Sequence, residues 1–305
     1  MPELLVCDLG TMAYAEALGL QRAVARARIS SALDEDLLLL VEHPPVVTLG
    51  RSFKERHLLA SPALLASRGV ELFEVERGGD VTFHGPGQLV GYPIVDLKRH
   101  KRDLHWYLRQ VEEALIRAIA PFGLAGDRRP GLTGVWTEGR KLASIGVHAR
   151  DWVTWHGFAL NVTTDLRYFD LIVPCGIDAV EMSSVGRELE RRGEAAPDPD
   201  ALLATVKGNV AAAFGDVFTL DVAAIEPALL PAAPPVVPIS IDACPTSRVS
   251  TARESGSFLP ATSPRSSTPS TLSRSAPSRS ATGRCSSSPA RARGRRGRSS
   301  TESHI

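Results

Sequence analysis

The segment KLASIGVHARDWVTWHGFALNV, residues 141–162, constrains the fold more than any other part of the sequence. Apolar residues at 145, 147 and 149 alternate with small or polar ones, and a continuous apolar run follows near the end. This pattern predicts two strands joined by a tight connection. A second hairpin is predicted around 138–140, immediately before the first. Frequent hairpins among helices favour a mixed α/β or α+β domain over a doubly wound parallel sheet.

The rest of the chain up to about residue 240 alternates between strand-like and helix-like segments. Each predicted helix opens at a residue that favours a helix start, and the helix after Asp103 has one apolar face. The predicted strands cover 3–9, 36–43, 46–50, 70–75 and 88–97. The predicted helices begin at Thr11, Ser61–Pro62, Asp103 and Asp200, and the first, third and last end near Arg28, Ala120 and Phe214.

The overall composition is that of an ordinary globular protein. Hydrophobic residues make up 43% and charged residues 23% of the 305 residues, which is enough apolar material for a sizeable core. The N-terminus has no basic region before an apolar stretch, so no secretory signal is expected. No run of about 18 apolar residues occurs, so no membrane span is expected. The four cysteines lack metal-site spacing, and we expect a cytoplasmic protein with reduced thiols.

The composition changes after about residue 238. Segment 243–305 is dominated by Ser, Arg, Pro and Thr, and its eleven arginines and two glutamates give a net charge of +9. Segment 1–242 therefore holds 24 basic and 32 acidic residues, a net charge of −8, which gives no footprint for nucleic acid. The tail cannot form a core and is predicted to be disordered. It is either a basic RNA-binding or membrane-surface element or an extension without function; the lack of an aromatic or Gly-Arg repeat favours the latter.

Cys175 is the first candidate for chemistry. It lies between a proline and a glycine after the apolar segment 170–173, so we expect its thiol on a turn at the end of a strand. A lone cysteine is usually a small buried hydrophobe, whereas a nucleophilic thiolate needs a nearby cation or base. Lys141, which follows a predicted hairpin turn, is the candidate partner, although such a lysine is also typical of a solvated turn.

The segment RGGDVTFHGPGQLVGYP, residues 77–93, is rich in glycine. Glycine lets a backbone approach a ligand closely, but the spacing is neither that of a P-loop nor that of a dinucleotide-binding motif. His84 is either a base or a residue that ties this loop down by a hydrogen bond. His148 and His156 have no third ligand at metal spacing, so no metal site is expected.

Four stretches together resemble the lipoyl(octanoyl) transferases, which are octanoyl-carrier-protein:protein octanoyltransferases of lipoate biosynthesis. The stretches occur in the family's order over roughly residues 5–215. The resemblance implies the α+β fold shared with biotin and lipoate protein ligases, mixed sheets flanked by helices, over segment 1–242; the tail at 243–305 departs from the family. The stretches are EHPPVVTLGRS, RGGDVTFHGPGQLVGYPIVDL, GRKLASIGVHARDWVTWHGFALNV and LIVPCGI.

The same resemblance implies roles for individual residues. Cys175 of the PCGI motif would carry the acyl thioester, and Lys141 would lower the pKa of its thiol. The octanoyl pocket would be lined by three segments, whose residues are Arg77, Gly78, Gly79, Asp80, Val81, Thr82, Phe83, His84, Ser144, Ile145, Gly146, Gly157, Phe158 and Ala159.

The implied reaction has two steps. The Cys175 thiolate attacks octanoyl-acyl carrier protein, and a lipoyl-domain lysine then attacks the thioester, with Lys141 as proton acceptor. The implied acceptors are the lipoyl domains of 2-oxoacid dehydrogenase E2 subunits and the glycine cleavage H protein. Conversion of a thioester to an amide needs neither ATP nor another cofactor. Two alternatives remain open: an ATP-dependent lipoate or biotin protein ligase, and a non-catalytic acyl-carrier-binding protein.

A carrier protein with an acidic surface would be repelled by the acidic segment 1–242, so docking requires a local basic patch. The candidate is KRHKR, residues 98–102, which precedes the helix at Asp103. The alternative is an ordinary solvated loop at the start of that helix.

A chain that ends at Asp242 is expected to keep the melting temperature and the octanoyl-transfer turnover of the full chain, because segment 243–305 cannot contribute to a core. Thermal denaturation and a turnover assay of the two proteins, purified side by side, measure both quantities. A large drop in either would show that the tail has a structural or functional role.

Overall fold

The computed structural model of the protein describes residues 3–177, 179–195 and 197–233. The predicted tail at 243–305 lies outside these residues. The strands are β1 Glu3–Thr11, β2 Asp36–Glu42, β3 Val46–Leu49, β4 Glu71–Glu74, β5 Val81–His84, β6 Gln88–Ile94, β7 Gly134–Thr137, β8 Arg140–Arg150, β9 Val153–Asn161 and β10 Asp221–Ala224. The helices are α1 Tyr14–Ile29, α2 Pro62–Ser67, α3 Leu104–Ile119, α4 Val185–Arg191 and α5 Pro199–Phe218.

The strands form two sheets. The larger has seven strands in the order β10-β1-β2-β6-β9-β8-β7, and the smaller has three in the order β4-β3-β5. β1 pairs in parallel with β10 and β2, whereas β2-β6, β6-β9, β9-β8 and β8-β7 are antiparallel. The two predicted hairpins supply the antiparallel end of the large sheet. The predicted mixed α+β architecture is therefore confirmed.

Helices cover both faces of the large sheet. Along β2, Leu38 and Leu40 belong to the core beneath α3 and α5, while Leu37 and Leu39 belong to the core beneath α1. This alternation follows from the period of two in a strand, and the continuous apolar sequence of β2 is explained by burial on both faces. A third core lies under the small sheet and packs against the segment that leads to Cys175.

Two helix starts differ from the sequence-based expectation. α1 begins at Tyr14, not at Thr11, because Thr11 still pairs with Glu42 of β2. α5 begins at Pro199, not at Asp200, because the side chain of Asp198 caps the first turn. α3 begins as predicted, with the Asp103 carboxylate accepting a hydrogen bond from the backbone N–H of Trp106 at 3.1 Å.

α5 is long and apolar enough to cross a membrane by length and composition alone, with a mean hydropathy of 1.2 over an 18-residue window. In the structure, Leu202, Val206, Val210 and Phe214 recur at helical spacing along its buried side. All four lie in the core that α5 shares with α3 and the sheet. Packing within the domain therefore accounts for the apolar character of this helix.

The glycine at 157 in β9 allows a close backbone approach that a side chain would prevent. A Cβ atom there would overlap the carbonyl oxygen of Gly91 in the neighbouring strand β6. Backbone atoms cannot move aside as a flexible side chain can. A Cβ atom added to Gly208, on the exposed side of α5, would have nothing within 4 Å of it.

Gly157→Ala is expected to lower the free energy of unfolding by roughly 1–3 kcal/mol, the range of overpacked interiors. Gly208→Ala, the matched control, should raise it by roughly 0.5–1 kcal/mol, since alanine is the better helix former. Urea denaturation of the three proteins measures both changes. Equal stability of Gly157→Ala and the parent chain would show that the two strands can separate at little cost.

Candidate active site

A β-bulge places Lys141 at the site. Trp136 pairs with Lys141 and Val135 pairs with Ala143, so Leu142 is an extra residue in β8. Leu142 and Ala143 both enter the core beneath α3. The bulge therefore lets two residues three positions apart, Lys141 and Ser144, reach the same point in space, as bulges beside functional sites commonly do.

That point is the thiol of Cys175. The Lys141 side chain is fully buried, and its Nζ donates a hydrogen bond to Cys175 Sγ at 3.2 Å. Ser144 Oγ lies 3.5 Å from the same sulfur. The backbone of Lys141 is fixed by the carbonyl of Glu181 at 2.8 Å and by the N–H of Ser183 at 2.9 Å. The structure thus brings together the two residues predicted to be catalytic.

The segment before Cys175 is not the predicted strand. Residues Leu166–Leu171 form a 3₁₀ helix whose first turn is capped by the Asp165 carboxylate. Phe169 and Leu171 are directed into the core under the small sheet, which selects this turn over an extended strand. The placement of Cys175 on a turn is correct, since Pro174–Gly176 forms a short 3₁₀ turn.

The backbone of Cys175 is in the left-handed region, with φ of 56° and ψ of 18°. Gly176 follows with φ of 65°, and a Cβ on it would lie 2.8 Å from Asp80 Oδ2 and 3.0 Å from the His57 ring. His57 Nδ1 and Asp80 Oδ2 are 2.7 Å apart, and the His57 carbonyl accepts from Val173 N–H at 2.7 Å. Sequence reasoning missed His57, because only the tertiary fold brings it beneath this turn.

The site favours the thiolate of Cys175. Burial alone would raise the pKa of this thiol, but the charge of Lys141, the Ser144 hydroxyl and the charge of Arg77 lower it below its ordinary value. Cys7 shows the opposite behaviour, since burial and nearby acidic groups raise its thiol pKa to about 11. A half-buried thiol with a lowered pKa is typical of a nucleophile, whereas Cys7 is typical of an inert core cysteine.

A cavity of about 460 Å³ opens beside Cys175. Two predicted pocket residues, Val81 and Phe83, do not line it; they enter the core under the small sheet because successive side chains of β5 point to opposite faces. The predicted residues that do line it are Arg77, Gly78, Gly79, Asp80, Thr82, His84, Ser144, Ile145, Gly146, Gly157, Phe158 and Ala159.

Other lining residues come from elements that the motifs do not include. Tyr14 contributes from the start of α1, Tyr92 from β6, and Leu104 and Leu108 from the first turns of α3. Both leucines belong to the helix after Asp103, for which the sequence predicted one apolar face. The sequence alone does not show that this face reaches the cavity.

The buried side chains of His84 and His43 act as hydrogen-bonding groups. His84 Nδ1 lies 2.8 Å from Gln88 Oε1, and burial lowers its pKa to about 3. His43 contacts the Met12 carbonyl and the Tyr92 hydroxyl, each at 2.7 Å, and burial lowers its pKa to about 4. His84 therefore ties the loop down and is neutral near pH 7. Within the described ranges no group of three His, Cys, Asp or Glu residues is placed to hold a metal ion.

Four residues of the basic segment 98–102 lie within 4 Å of an aspartate carboxylate. Lys98 pairs with Asp96 at 3.4 Å, and Lys101 pairs with Asp103 at 3.0 Å. Arg99 and His100 contact Asp34 and Asp36 in the same way. The positive charge available to an acidic carrier is smaller than the sequence suggests.

Comparison with known proteins identifies a family. The sequence profile described as "Lipoyl protein ligase A/B catalytic domain" matches residues 13–210. An octanoyltransferase of Acidobacterium capsulatum is 51% identical over 231 residues, which are 72% of this chain and 91% of the relative. Octanoyltransferases of Nostoc sp. and Geobacter metallireducens are 46% and 48% identical over 71% and 72% of this chain, and over 93% and 94% of their own lengths.

Solved structures share the fold at much lower identity. Lipoate-protein ligase A bound with ATP superposes with a TM-score of 0.57 at 16% identity, over 74% of this chain and 88% of that chain. The bi-partite lipoate protein ligase of Thermoplasma acidophilum gives a TM-score of 0.53 at 17% identity, over 74% and 88%. These structures confirm the predicted ligase-like fold. The 46–51% identity to the octanoyltransferases goes further: the chain belongs to the octanoyltransferase family, among the proteins with a lipoyl protein ligase A/B catalytic domain.

Proposed function

We propose that this octanoyltransferase acts through a covalent octanoyl thioester on Cys175. Octanoyl-acyl carrier protein is the donor, and the acceptors are lysines of lipoyl domains, including those of 2-oxoacid dehydrogenase E2 subunits and of the glycine cleavage H protein. The observation that supports this mechanism is the contact of 3.2 Å between Lys141 Nζ and Cys175 Sγ beside a cavity. A buried ammonium next to a thiol favours the nucleophilic thiolate form.

In the first step the Cys175 thiolate attacks the carbonyl carbon of the octanoyl thioester. A bond forms between that carbon and Sγ, and the bond from the carbon to the carrier sulfur breaks. The leaving carrier thiolate needs a proton, and the ammonium of Lys141 is 3.2 Å from the attacking sulfur and can supply it. The carrier departs as a thiol, and a neutral Lys141 stays beside the thioester.

In the second step the amine of the acceptor lysine attacks the thioester. A carbon–nitrogen bond forms, the bond to Sγ breaks, and the proton lost by the attacking nitrogen passes to the neutral amine of Lys141. Cys175 is released as a thiolate beside a restored ammonium. The cycle closes without ATP, because the thioester already carries the activation that an adenylate would provide.

The cavity accommodates the acyl chain on small and apolar surfaces. Gly146, Gly157 and Ala159 leave room along its wall, and Ile145 and Phe158 provide apolar contact. Each buried methylene of an octanoyl chain contributes about 0.8 kcal/mol of binding free energy. This burial gives preference to a medium-length chain over a short one.

Mixing the protein with octanoyl-acyl carrier protein is expected to raise its intact mass by one octanoyl group, and hydroxylamine should remove that group. Cys175→Ser should lose the labile adduct, while Cys7→Ser should keep it because Cys7 is a core thiol with a raised pKa. A hydroxylamine-labile adduct of the same mass on Cys175→Ser would contradict the assignment. Transfer that requires ATP and free octanoate would instead identify a ligase. Binding of octanoyl-acyl carrier protein that survives in Cys175→Ala, with no transfer by the parent chain, would identify a non-catalytic binding protein.

Lys141→Ala is expected to raise the pKa of the Cys175 thiol by about one to three units, the range for loss of an adjacent opposite charge. Because the thiolate is the reactive form, the rising limb of an iodoacetamide rate against pH should move to higher pH by the same amount. Lys207→Ala, which removes a lysine paired with Asp8 elsewhere on the protein, serves as control. An unchanged profile in Lys141→Ala would show that Lys141 does not stabilise the thiolate.

A further inference from the structure

Lys141 has a second close neighbour, Trp136, to which the two steps of the proposed reaction assign no role. Trp136 lies directly opposite Lys141 across the β7–β8 pair, and Lys141 Nζ is 5.2 Å from the centroid of its ring. Both side chains are fully buried. A cation within about 6 Å of an indole face is attracted by the ring quadrupole, and the attraction is larger where water is excluded.

The contact with Trp136 matters because the buried Lys141 ammonium has few other partners. Within the part of the chain that the structure describes, Cys175 Sγ is the single hydrogen-bond acceptor of Nζ, and no carboxylate lies within 4 Å of it. A buried ammonium with so few partners is costly. The ring of Trp136 is a second group that favours a positive charge at this position.

The local backbone is arranged around the two side chains. A Cβ at Gly134 would lie 2.5 Å from the carbonyl oxygen of Ala143, 3.0 Å from Cε of Lys141 and 3.2 Å from Cη2 of Trp136, so the backbone and both side chains leave room only for a glycine. Two backbone hydrogen bonds with Asp127, of 2.9 and 2.7 Å, hold Trp136 in place.

The polar atom of the indole does not explain its presence. Trp136 Nε1 is buried and has no hydrogen-bond partner among the described residues. A buried donor without a partner destabilises the fold, and a phenylalanine would avoid that cost. The indole face, the strongest π system among the side chains, is what tryptophan adds here.

We propose that Trp136 is a positioning residue of the octanoyl transfer, whose ring holds the Lys141 ammonium by a cation–π contact and keeps it directed at Cys175. This role rests on the proposed function of the Lys141–Cys175 pair. Arg129 Cζ lies 5.9 Å from the same ring, but Arg129 is half-buried and donates to the Gly139 carbonyl. Arg129 cannot take the role of Lys141, because Lys141 is the one residue among the described lysines and arginines that hydrogen-bonds to Cys175 Sγ.

The test measures the thiol pKa of Cys175 from alkylation rates against pH, without any acyl substrate. Trp136→Leu is expected to raise this pKa by about one unit, on the order of a desolvated cation–π contact. Trp136→Phe, which keeps a weaker π face, should raise it by less. The same substitutions in a Lys141→Met background should leave the pKa unmoved, because the ring then has no cation to hold.

Site-specific replacement of Trp136 by tryptophans with one to three fluorine atoms keeps the shape and weakens the π face stepwise. The thiol pKa of Cys175 should rise with each added fluorine. This measurement is independent of whether Trp136→Leu folds. The proposal would be overturned if substitutions of Trp136 shifted the thiol pKa equally in the parent and the Lys141→Met background. A lowered melting temperature with an unchanged thiol pKa would also overturn it and would assign Trp136 to packing. Failure of the proposed function appears separately, as absence of the octanoyl adduct on Cys175.

Discussion

The contact between Lys141 and Cys175 is the interaction on which the rest of the site depends. An ammonium that is fully removed from water must be matched by a partner, since an isolated buried charge costs several kcal/mol. The thiolate supplies that match at 3.2 Å. The positive charge of Lys141 in turn stabilises the thiolate, which explains how a buried lysine lies beside a thiol with a lowered pKa.

This contact requires two departures from regular backbone. The bulge in β8 turns Lys141 toward the sulfur, and the left-handed conformation of Cys175 turns the sulfur toward Lys141. A non-glycine residue in this conformation costs of order 1 kcal/mol or more and persists where the surroundings hold it. Here the Gly176 backbone lies against the His57–Asp80 pair, and the backbone N–H of Val173 donates a hydrogen bond to the His57 carbonyl. The small sheet and its loops therefore stabilise the orientation of the Cys175 thiol.

The sequence predicted those features that depend on local pattern. The hairpin at 141–162 and the helix capped by Asp103 follow from periodicity and capping chemistry, and Cys175 on a turn follows from the flanking Pro and Gly. The need of a thiolate for a cation made Lys141 a candidate partner of Cys175, with a solvated turn lysine as the alternative, and the family resemblance favoured the pairing. It also placed Val81 and Phe83 in the pocket with their neighbours, whereas strand alternation directs them into the core.

Other features were beyond sequence reasoning because they join distant parts of the chain. His57 reaches the Cys175 turn from more than a hundred residues away, and nothing in the sequence ERHLL indicates that contact. The bulge at Leu142 could not be predicted either, because it is defined by how β8 pairs with β7, and the sequence of β8 alone does not show that pairing. The 3₁₀ helix at Leu166–Leu171 is selected by the core under the small sheet, which forms only after long-range strand pairing.

The balance of charge through the proposed catalytic cycle explains why an aromatic ring suits this site better than a carboxylate. In the proposed mechanism the thiolate and the ammonium of the resting enzyme together are neutral. The thioester and the amine of the proposed acyl-enzyme are also neutral, because the proton leaves with the carrier thiol. A carboxylate fixed beside Lys141 would hold the ammonium in both states, and the attacking amine of the second step would then lack an acceptor for its proton. The ring of Trp136, 5.2 Å from Nζ, attracts a cation without carrying charge. It therefore supports the ammonium when the thiolate is present and permits the neutral amine once the sulfur is acylated.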